Sequence, residues 1–137
     1  MTRISGILES ALYCEDLVAA DAFYGGLLGL KKVSEMEGRH LFYSCGQGQL
    51  LVFKPSETIQ PIDSDLPIPT HGSQGSGHLC FRASLEEIEG WINKFKSAGI
   101  EIESDFTWPN GARSIYVRDP GNNSIEFAEP KLWGFTP

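Results

Sequence analysis

The stretch ISGILESALYCEDLVAADAFYGGLLG, residues 4–29, decides the fold because a strand-like segment leads directly into an amphipathic helix. Asp16 is a typical N-cap residue and Gly29 is a typical helix end. Apolar side chains recur between them every three or four residues, as on the buried face of a helix. These side chains are Leu17, Ala20, Phe23, Tyr24, Leu27 and Leu28.

The same pattern returns in the second half of the chain. The segment GHLCFRA, residues 77–83, is strand-like, and Ser84 begins a capping box before a second amphipathic helix. The distance from strand to helix end is 20 residues over Glu9–Gly29 and 21 residues over His78–Gly99. An internal repeat with matching lengths predicts two structural units of the same type.

Each helix is followed by a pattern typical of three strands. Turn residues such as Gly, Asn and Asp separate the last two strands of each half. The predicted strands are Lys31–Ser34, His40–Cys45 and Leu50–Lys54 in the first half, and Glu101–Ser104, Arg113–Arg118 and Ser124–Ala128 in the second. The chain is therefore predicted to belong to the α+β class and to contain two fused βαβββ modules.

The modules are expected over residues 4–56 and 76–130 of a single domain, residues 1–137, with a linker over 57–75 that is rich in Pro, Gly and Ser. With 11 basic and 18 acidic side chains, the net charge is −7, and the scattered basic residues form no stripe for nucleic acid. No apolar run approaches the ~20 residues of a membrane span, and no signal peptide is evident, so we expect a cytoplasmic protein. Cys14, Cys45 and Cys80 lack a CxxC spacing and are interpreted as reduced packing residues.

Three ionisable side chains are predicted on strand faces opposite the core. Alternation along the strands places Glu9, His78 and Glu126 away from the apolar faces that pack on the helices. Two carboxylates and one imidazole suit a divalent ion such as Mn, Fe, Ni, Co or Zn. The alternative is that they are solvent-facing strand residues.

Three segments resemble the vicinal oxygen chelate superfamily: YCEDLVAADAFYGGLLGLKKV, GSGHLCFRA and SIYVRDPGNNSIEF. This superfamily includes glyoxalase I, extradiol dioxygenases, fosfomycin-resistance transferases and bleomycin-resistance proteins. The resemblance spans roughly residues 4–130. It implies a glyoxalase-like fold, in which paired βαβββ modules curl a mixed sheet around a central cavity.

The resemblance also implies metal positions. His78 and Glu126 match ligands of the second module, while the first-module ligand, usually His or Gln, is Glu9 here. The fourth position, which glyoxalase I uses, falls at about Leu51, which cannot bind metal. The resemblance therefore disfavours glyoxalase I activity on the glutathione hemithioacetal and leaves a three-ligand site open, with Glu9 or Glu126 as the candidate catalytic base.

Further residues are candidates for substrate binding. His71 lies in a glycine-rich stretch able to close over a cavity, and the alternative is a solvated loop histidine. Arg113 suits a substrate anion or a surface salt bridge. Trp108 forms an aromatic set with Trp133 and Phe135 that suits the wall of an apolar pocket, and the alternative is a tail that Trp133 anchors against the domain or a second subunit.

The leading hypothesis is a cytoplasmic, homodimeric metalloenzyme that binds adjacent oxygens of a small substrate through a divalent ion. A lyase or isomerase, a transferase and a dioxygenase are the reaction classes that the resemblance leaves open. The alternative is a metal-free protein that sequesters a drug-like ligand, as bleomycin-resistance proteins do. A hemithioacetal isomerase with an altered cofactor is a third hypothesis, which Leu51 weakens.

Overall fold

A computed structural model describes residues 2–137, so the predicted domain start at residue 1 lies outside the described part of the chain. The chain divides into two compact units, one reaching to Gly75 and the other running from Ser76 to Pro137. Each unit contains a strand, a helix and three further strands. This order confirms the predicted α+β class and the repeated βαβββ pattern.

The first unit contains a four-stranded sheet with the order β1-β4-β3-β2, in which β1 and β4 are parallel. Helix α1 continues directly into a π-helical segment, in which the Leu28 N–H donates to the Phe23 carbonyl. The elements are β1 Glu9–Tyr13, α1 Leu17–Asp21, the π-helical segment Ala22–Leu27, β2 Lys31–Met36, β3 His40–Cys45, β4 Gly48–Phe53 and α2 Pro55–Thr58.

The second unit repeats this topology with the strand order β5-β8-β7-β6, and here β5 and β8 are parallel. The Ser84 hydroxyl and the Glu87 side chain form the predicted capping box at the start of α3. The elements are β5 His78–Arg82, α3 Leu85–Ser97, β6 Ser104–Thr107, β7 Arg113–Arg118, β8 Ser124–Ala128 and a 3₁₀ turn Pro130–Trp133. Within residues 2–137, no helix has the length and apolarity needed to cross a membrane.

Four predicted strands differ from the structure in their extent, two of them slightly: β2 continues to Met36, and β4 begins at Gly48. The strand-like segment before the Asp16 N-cap, residues 4–15, pairs only from Leu8 to Cys14, because its partner β4 spans only Gly48–Phe53. The strand expected over Glu101–Ser104 lies instead at β6, Ser104–Thr107. Its pairing with β7 begins where the Glu103 N–H donates to the Tyr116 carbonyl, 2.8 Å away.

The parallel strand pairs of the two units have the same register. In the first unit, β1 pairs with β4 from Glu9 opposite Gln49, and Ala11 lies opposite Leu51. In the second, β5 pairs with β8 from His78 opposite Ser124, and Cys80 lies opposite Glu126. Within their own units, Glu9 therefore occupies the position of His78, and Leu51 occupies the position of Glu126.

A buried tyrosine anchors the end of α1 to the first sheet. The Tyr43 hydroxyl donates to Asp21 Oδ1 over 2.6 Å, and the Lys32 ammonium donates to Oδ2 over 2.9 Å. A Cβ at Gly25 would lie 2.8 Å from Asp21 Oδ1, so glycine is required for this approach. The Tyr43 hydrogen bond, followed by Lys32, lowers the pKa of Asp21.

We expect Tyr43→Phe to lower the free energy of unfolding by about 1–2 kcal/mol at pH 7, because a hydrogen bond to a charged group is lost. Since the folded pKa of Asp21 lies below its unfolded value of about 3.9, this stabilisation is complete above about pH 4 and is lost as the pH falls through the folded value. Urea unfolding of both proteins at about pH 7 and pH 3 measures the difference. An equal difference at both pH values would contradict the role given to ionised Asp21.

Candidate metal centre

Two of the three predicted ligands lie together on the second sheet. His78 is on β5 and Glu126 is on the adjacent strand β8, with His78 Nε2 at 3.2 Å from Glu126 Oε1. The Glu126 side chain is only 7% exposed, whereas the His78 side chain is 53% exposed. A buried carboxylate therefore faces an imidazole that a ligand can reach from solvent.

The ring orientation of His78 favours a cation beside Glu126. His78 Nδ1 lies 2.9 Å from the Ser124 carbonyl oxygen, which can only accept, so Nδ1 carries the proton. In the neutral ring, the lone pair of Nε2 then faces the Glu126 carboxylate, and two such acceptors repel unless a proton or a cation lies between them. An imidazole whose other nitrogen donates to a carbonyl is the usual arrangement of a metal-bound histidine, so this pair fits a divalent ion.

The far oxygen of Glu126 is already occupied. The Ser114 hydroxyl donates to Glu126 Oε2 over 2.6 Å, and Trp108 Nε1 donates to Ser114 Oγ over 2.7 Å. Trp108 was predicted as a substrate-binding residue, and the structure uses its indole N–H within this chain of hydrogen bonds. Only Oε1 of Glu126 faces His78.

The sequence analysis did not identify Tyr116 and Cys80 as neighbours of the Glu126 carboxylate. Loss of hydration, followed by the Glu126 carboxylate, raises the pKa of Tyr116 to about 12 and that of Cys80 to about 12. Both side chains are therefore neutral at pH 7 and add no charge beside the carboxylate. The available signal was alternation along β7, which places Ser114 and Tyr116 on one face of the strand.

Glu9, the third predicted ligand, lies in the first unit. It is an exposed residue at the start of β1, in the position that His78 occupies in the second unit. Leu51 stands in the position of Glu126 and is 8% exposed. Within each unit, over residues 2–137, no three His, Cys, Asp or Glu side chains form a metal-binding cluster, so the set of Glu9, His78 and Glu126 stays a prediction.

The first sheet carries a cluster of aromatic rings beside Leu51, which lies opposite Phe42 on the neighbouring strand. We call this half-buried set, Tyr13, His40, Phe42, Phe53 and His71, the aromatic face. The Phe53 ring centroid lies 5.5 Å from that of Phe42 and 4.6 Å from that of His71. His71 Nδ1 is also 2.8 Å from the Tyr13 hydroxyl, so a hydrogen bond and ring packing hold this predicted substrate-binding histidine in place.

Arg113, predicted to bind a substrate anion, has its guanidinium surrounded by carboxylates. It donates from Nε and Nη2 to Asp105 over 2.9 and 2.8 Å, and from Nη1 to Glu89. The Arg113 hydrogen bond lowers the pKa of Asp105. These contacts use three of the five N–H donors of the Arg113 guanidinium, and its role in binding a substrate anion stays a prediction.

A family model described as the Glyoxalase/Bleomycin resistance protein/Dioxygenase superfamily matches residues 6–127. The crystal structure of a lactoylglutathione lyase from Agrobacterium tumefaciens is similar at 44% identity, with a TM-score of 0.92, covering 98% of this chain and 100% of that chain.

Two more distant structures share the fold. A glyoxalase/bleomycin resistance protein/dioxygenase from Nocardioides has 22% identity and a TM-score of 0.72, covering 94% of this chain and 85% of that chain. A fosfomycin resistance protein from Listeria monocytogenes has 18% identity and a TM-score of 0.69, covering 91% of each chain. A comparison with curated proteins gives no match.

Proposed function

Since the chain belongs to the Glyoxalase/Bleomycin resistance protein/Dioxygenase superfamily, we propose that it is a metal-dependent enzyme that binds two adjacent oxygens of a small substrate through a divalent ion. The observation that carries this proposal is the approach of His78 Nε2 to Glu126 Oε1, 3.2 Å apart, with hydrogen bonds already made by the other nitrogen and the other oxygen. The proposal includes three reaction classes: a lyase or isomerase, a transferase and a dioxygenase.

The proposed ligands are Glu9, His78 and Glu126. Glu9 is supported by its exposure on β1 and by the shared strand register, which gives it the same place in its unit as His78 has in the other. With neutral His78, the three ligands carry a formal charge of −2 and suit Mn, Fe, Ni, Co or Zn. Three protein ligands leave coordination positions for substrate.

The protein side chains have separate roles in this proposal. A divalent ion supplies Lewis-acid stabilisation of charge on the substrate oxygens. Glu9 is the first candidate for the base that removes a proton beside those oxygens, because Glu126 already accepts a hydrogen bond from Ser114 on Oε2. Glu126 remains the second candidate through Oε1.

We expect the wild-type chain to bind one of these ions, and Glu9→Ala, His78→Ala and Glu126→Gln each to weaken binding roughly 100-fold or more, since each removes a direct ligand rather than an outer partner. Calorimetric titration with Mn²⁺, Co²⁺, Ni²⁺ and Zn²⁺ measures the affinities, and circular dichroism checks folding. Glu101→Gln is the matched control, because this exposed glutamate lies outside the proposed site. A wild-type chain that is purified without metal and binds none of the ions would overturn the proposal.

The Agrobacterium tumefaciens structure carries the name lactoylglutathione lyase, which makes the hemithioacetal of glutathione and a 2-oxoaldehyde an obvious substrate to assay. We expect no turnover above the uncatalysed rate with any of the four ions. The Leu51 side chain has no atom that can bind a metal ion, and it occupies the position that Glu126 has in the second unit. Thioester formation followed by absorbance measures the rate. Turnover that disappears in His78→Ala would contradict the inference drawn from Leu51.

A second candidate function is sequestration of a drug-like ligand without metal, and the aromatic face favours it because planar apolar ligands stack on such rings. It predicts that protein treated with EDTA binds bleomycin, that Phe42→Ala weakens this binding about 10-fold, and that His78→Ala leaves it unchanged. Fluorescence titration tests all three outcomes. Failure of the metal-free protein to bind bleomycin would reject sequestration of that drug.

A cytoplasmic location and a homodimer complete the proposal. No disulfide joins the three cysteines within residues 2–137, which suits a reducing compartment. Ile4, Ile7 and Leu8 are 93, 83 and 77% exposed, and a second subunit would cover such an apolar segment.

A further inference from the structure

The chain of hydrogen bonds behind Glu126 has a single direction. An indole N–H can only donate, so Ser114 Oγ accepts from Trp108 Nε1 over 2.7 Å. The one hydroxyl hydrogen of Ser114 is then donated to Glu126 Oε2 over 2.6 Å. Reversing the Ser114 hydroxyl would leave two donors facing each other, so this order of donation is the one the three groups can sustain.

Contacts within the second unit hold the two donors, Trp108 and Ser114, in place. The backbone N–H of Trp108 donates to the Ala112 carbonyl over 2.7 Å, and the backbone N–H of Gly111 donates to the Trp108 carbonyl over 2.8 Å, which closes the β6–β7 hairpin. Gly111 has a φ of +87°, a conformation that favours glycine. Ser114 is fully buried, so water does not replace its hydroxyl as the donor to Glu126.

The same hydrogen bonds leave the other oxygen of Glu126, Oε1, on the side of His78. Oε1 lies 3.2 Å from His78 Nε2, whereas Oε2 points into the hydrogen-bonded chain. A carboxylate without such a partner can turn and bind a cation through both oxygens, which takes a coordination position away from substrate. The number of open positions therefore depends on what holds Oε2.

We propose that Ser114 and Trp108 are positioning residues, which reserve Oε2 and make Glu126 a one-oxygen ligand aimed at the site beside His78. This assignment rests on the proposed function, since it concerns the same ion. Ser114 acts directly on Glu126, and Trp108 acts through Ser114. Neither residue needs to touch the ion or the substrate.

The test uses Co²⁺ as the probe, with calorimetry for affinity and visible absorption for coordination geometry. We expect Ser114→Ala to weaken Co²⁺ binding about 10–100-fold, the loss typical of an outer partner of a metal ligand, and to change the absorption spectrum as Oε2 is released. Ser114→Thr keeps the hydroxyl and should restore both properties. Trp108→Phe keeps a ring but loses the N–H, and should weaken binding by a smaller factor, roughly 3–10-fold.

Ser84→Ala is the control for a general loss of stability in the second unit, because Ser84 caps α3. It should leave Co²⁺ affinity and spectrum unchanged. The assignment is overturned if Ser114→Ala binds Co²⁺ as tightly as wild type, or with an unchanged spectrum. If Ser114→Thr fails to fold, the Trp108→Phe variant alone tests the assignment. Wild-type Co²⁺ affinity in that variant would then overturn the positioning role of the Trp108–Ser114 hydrogen bonds. If wild-type protein binds none of the ions, the proposed function itself fails, which is a distinguishable result.

Discussion

The parallel pairing of the first and last strands of the second unit is the constraint on which the candidate site depends. Because His78 pairs with Ser124, the imidazole donates to the carbonyl of the residue opposite and turns its second nitrogen towards Glu126. A slip of one residue would reverse the faces of β8, placing Glu126 on the side that Ile125 now buries. The apolar packing of β8 thus enforces the register, and the register brings His78 and Glu126, the two proposed ligands, together.

The two units use one strand geometry for two chemistries. At equivalent register positions, Phe42 of the first unit corresponds to Tyr116 of the second, and Leu51 corresponds to Glu126. Both sheets therefore carry a ring at the first of these positions, while the first sheet has an apolar side chain where the second has the Glu126 carboxylate. In the first sheet, Glu9 supplies a carboxylate at the position of His78. The two units thus share equivalent strand positions and carry different side chains at them.

The repeat and the strand alternation were sufficient to predict most of the fold, because both depend on local periodicity and chain length. They also predicted that Glu9, His78 and Glu126 lie on strand faces opposite those that pack on the helices; the structure brings His78 and Glu126 together and buries Glu126. The hydrogen bonds from Trp108 through Ser114 to Glu126 were not predictable in this way. They join a hairpin to two strands, and no local sequence pattern reports the register of those strands relative to each other. The predicted ends of β1 and β6 were wrong for a related reason, because a strand ends where its pairing partner ends.

Charge pairing also limits how a substrate can be recognised. The chain has 11 basic side chains against 18 acidic ones, and Arg113 is already bound to Asp105 and Glu89. Asp105 and Glu89 therefore compete with a substrate anion for the Arg113 guanidinium. In the proposed function, a divalent ion would supply the positive charge beside the substrate oxygens, and Glu9, His78 and Glu126 would hold that ion.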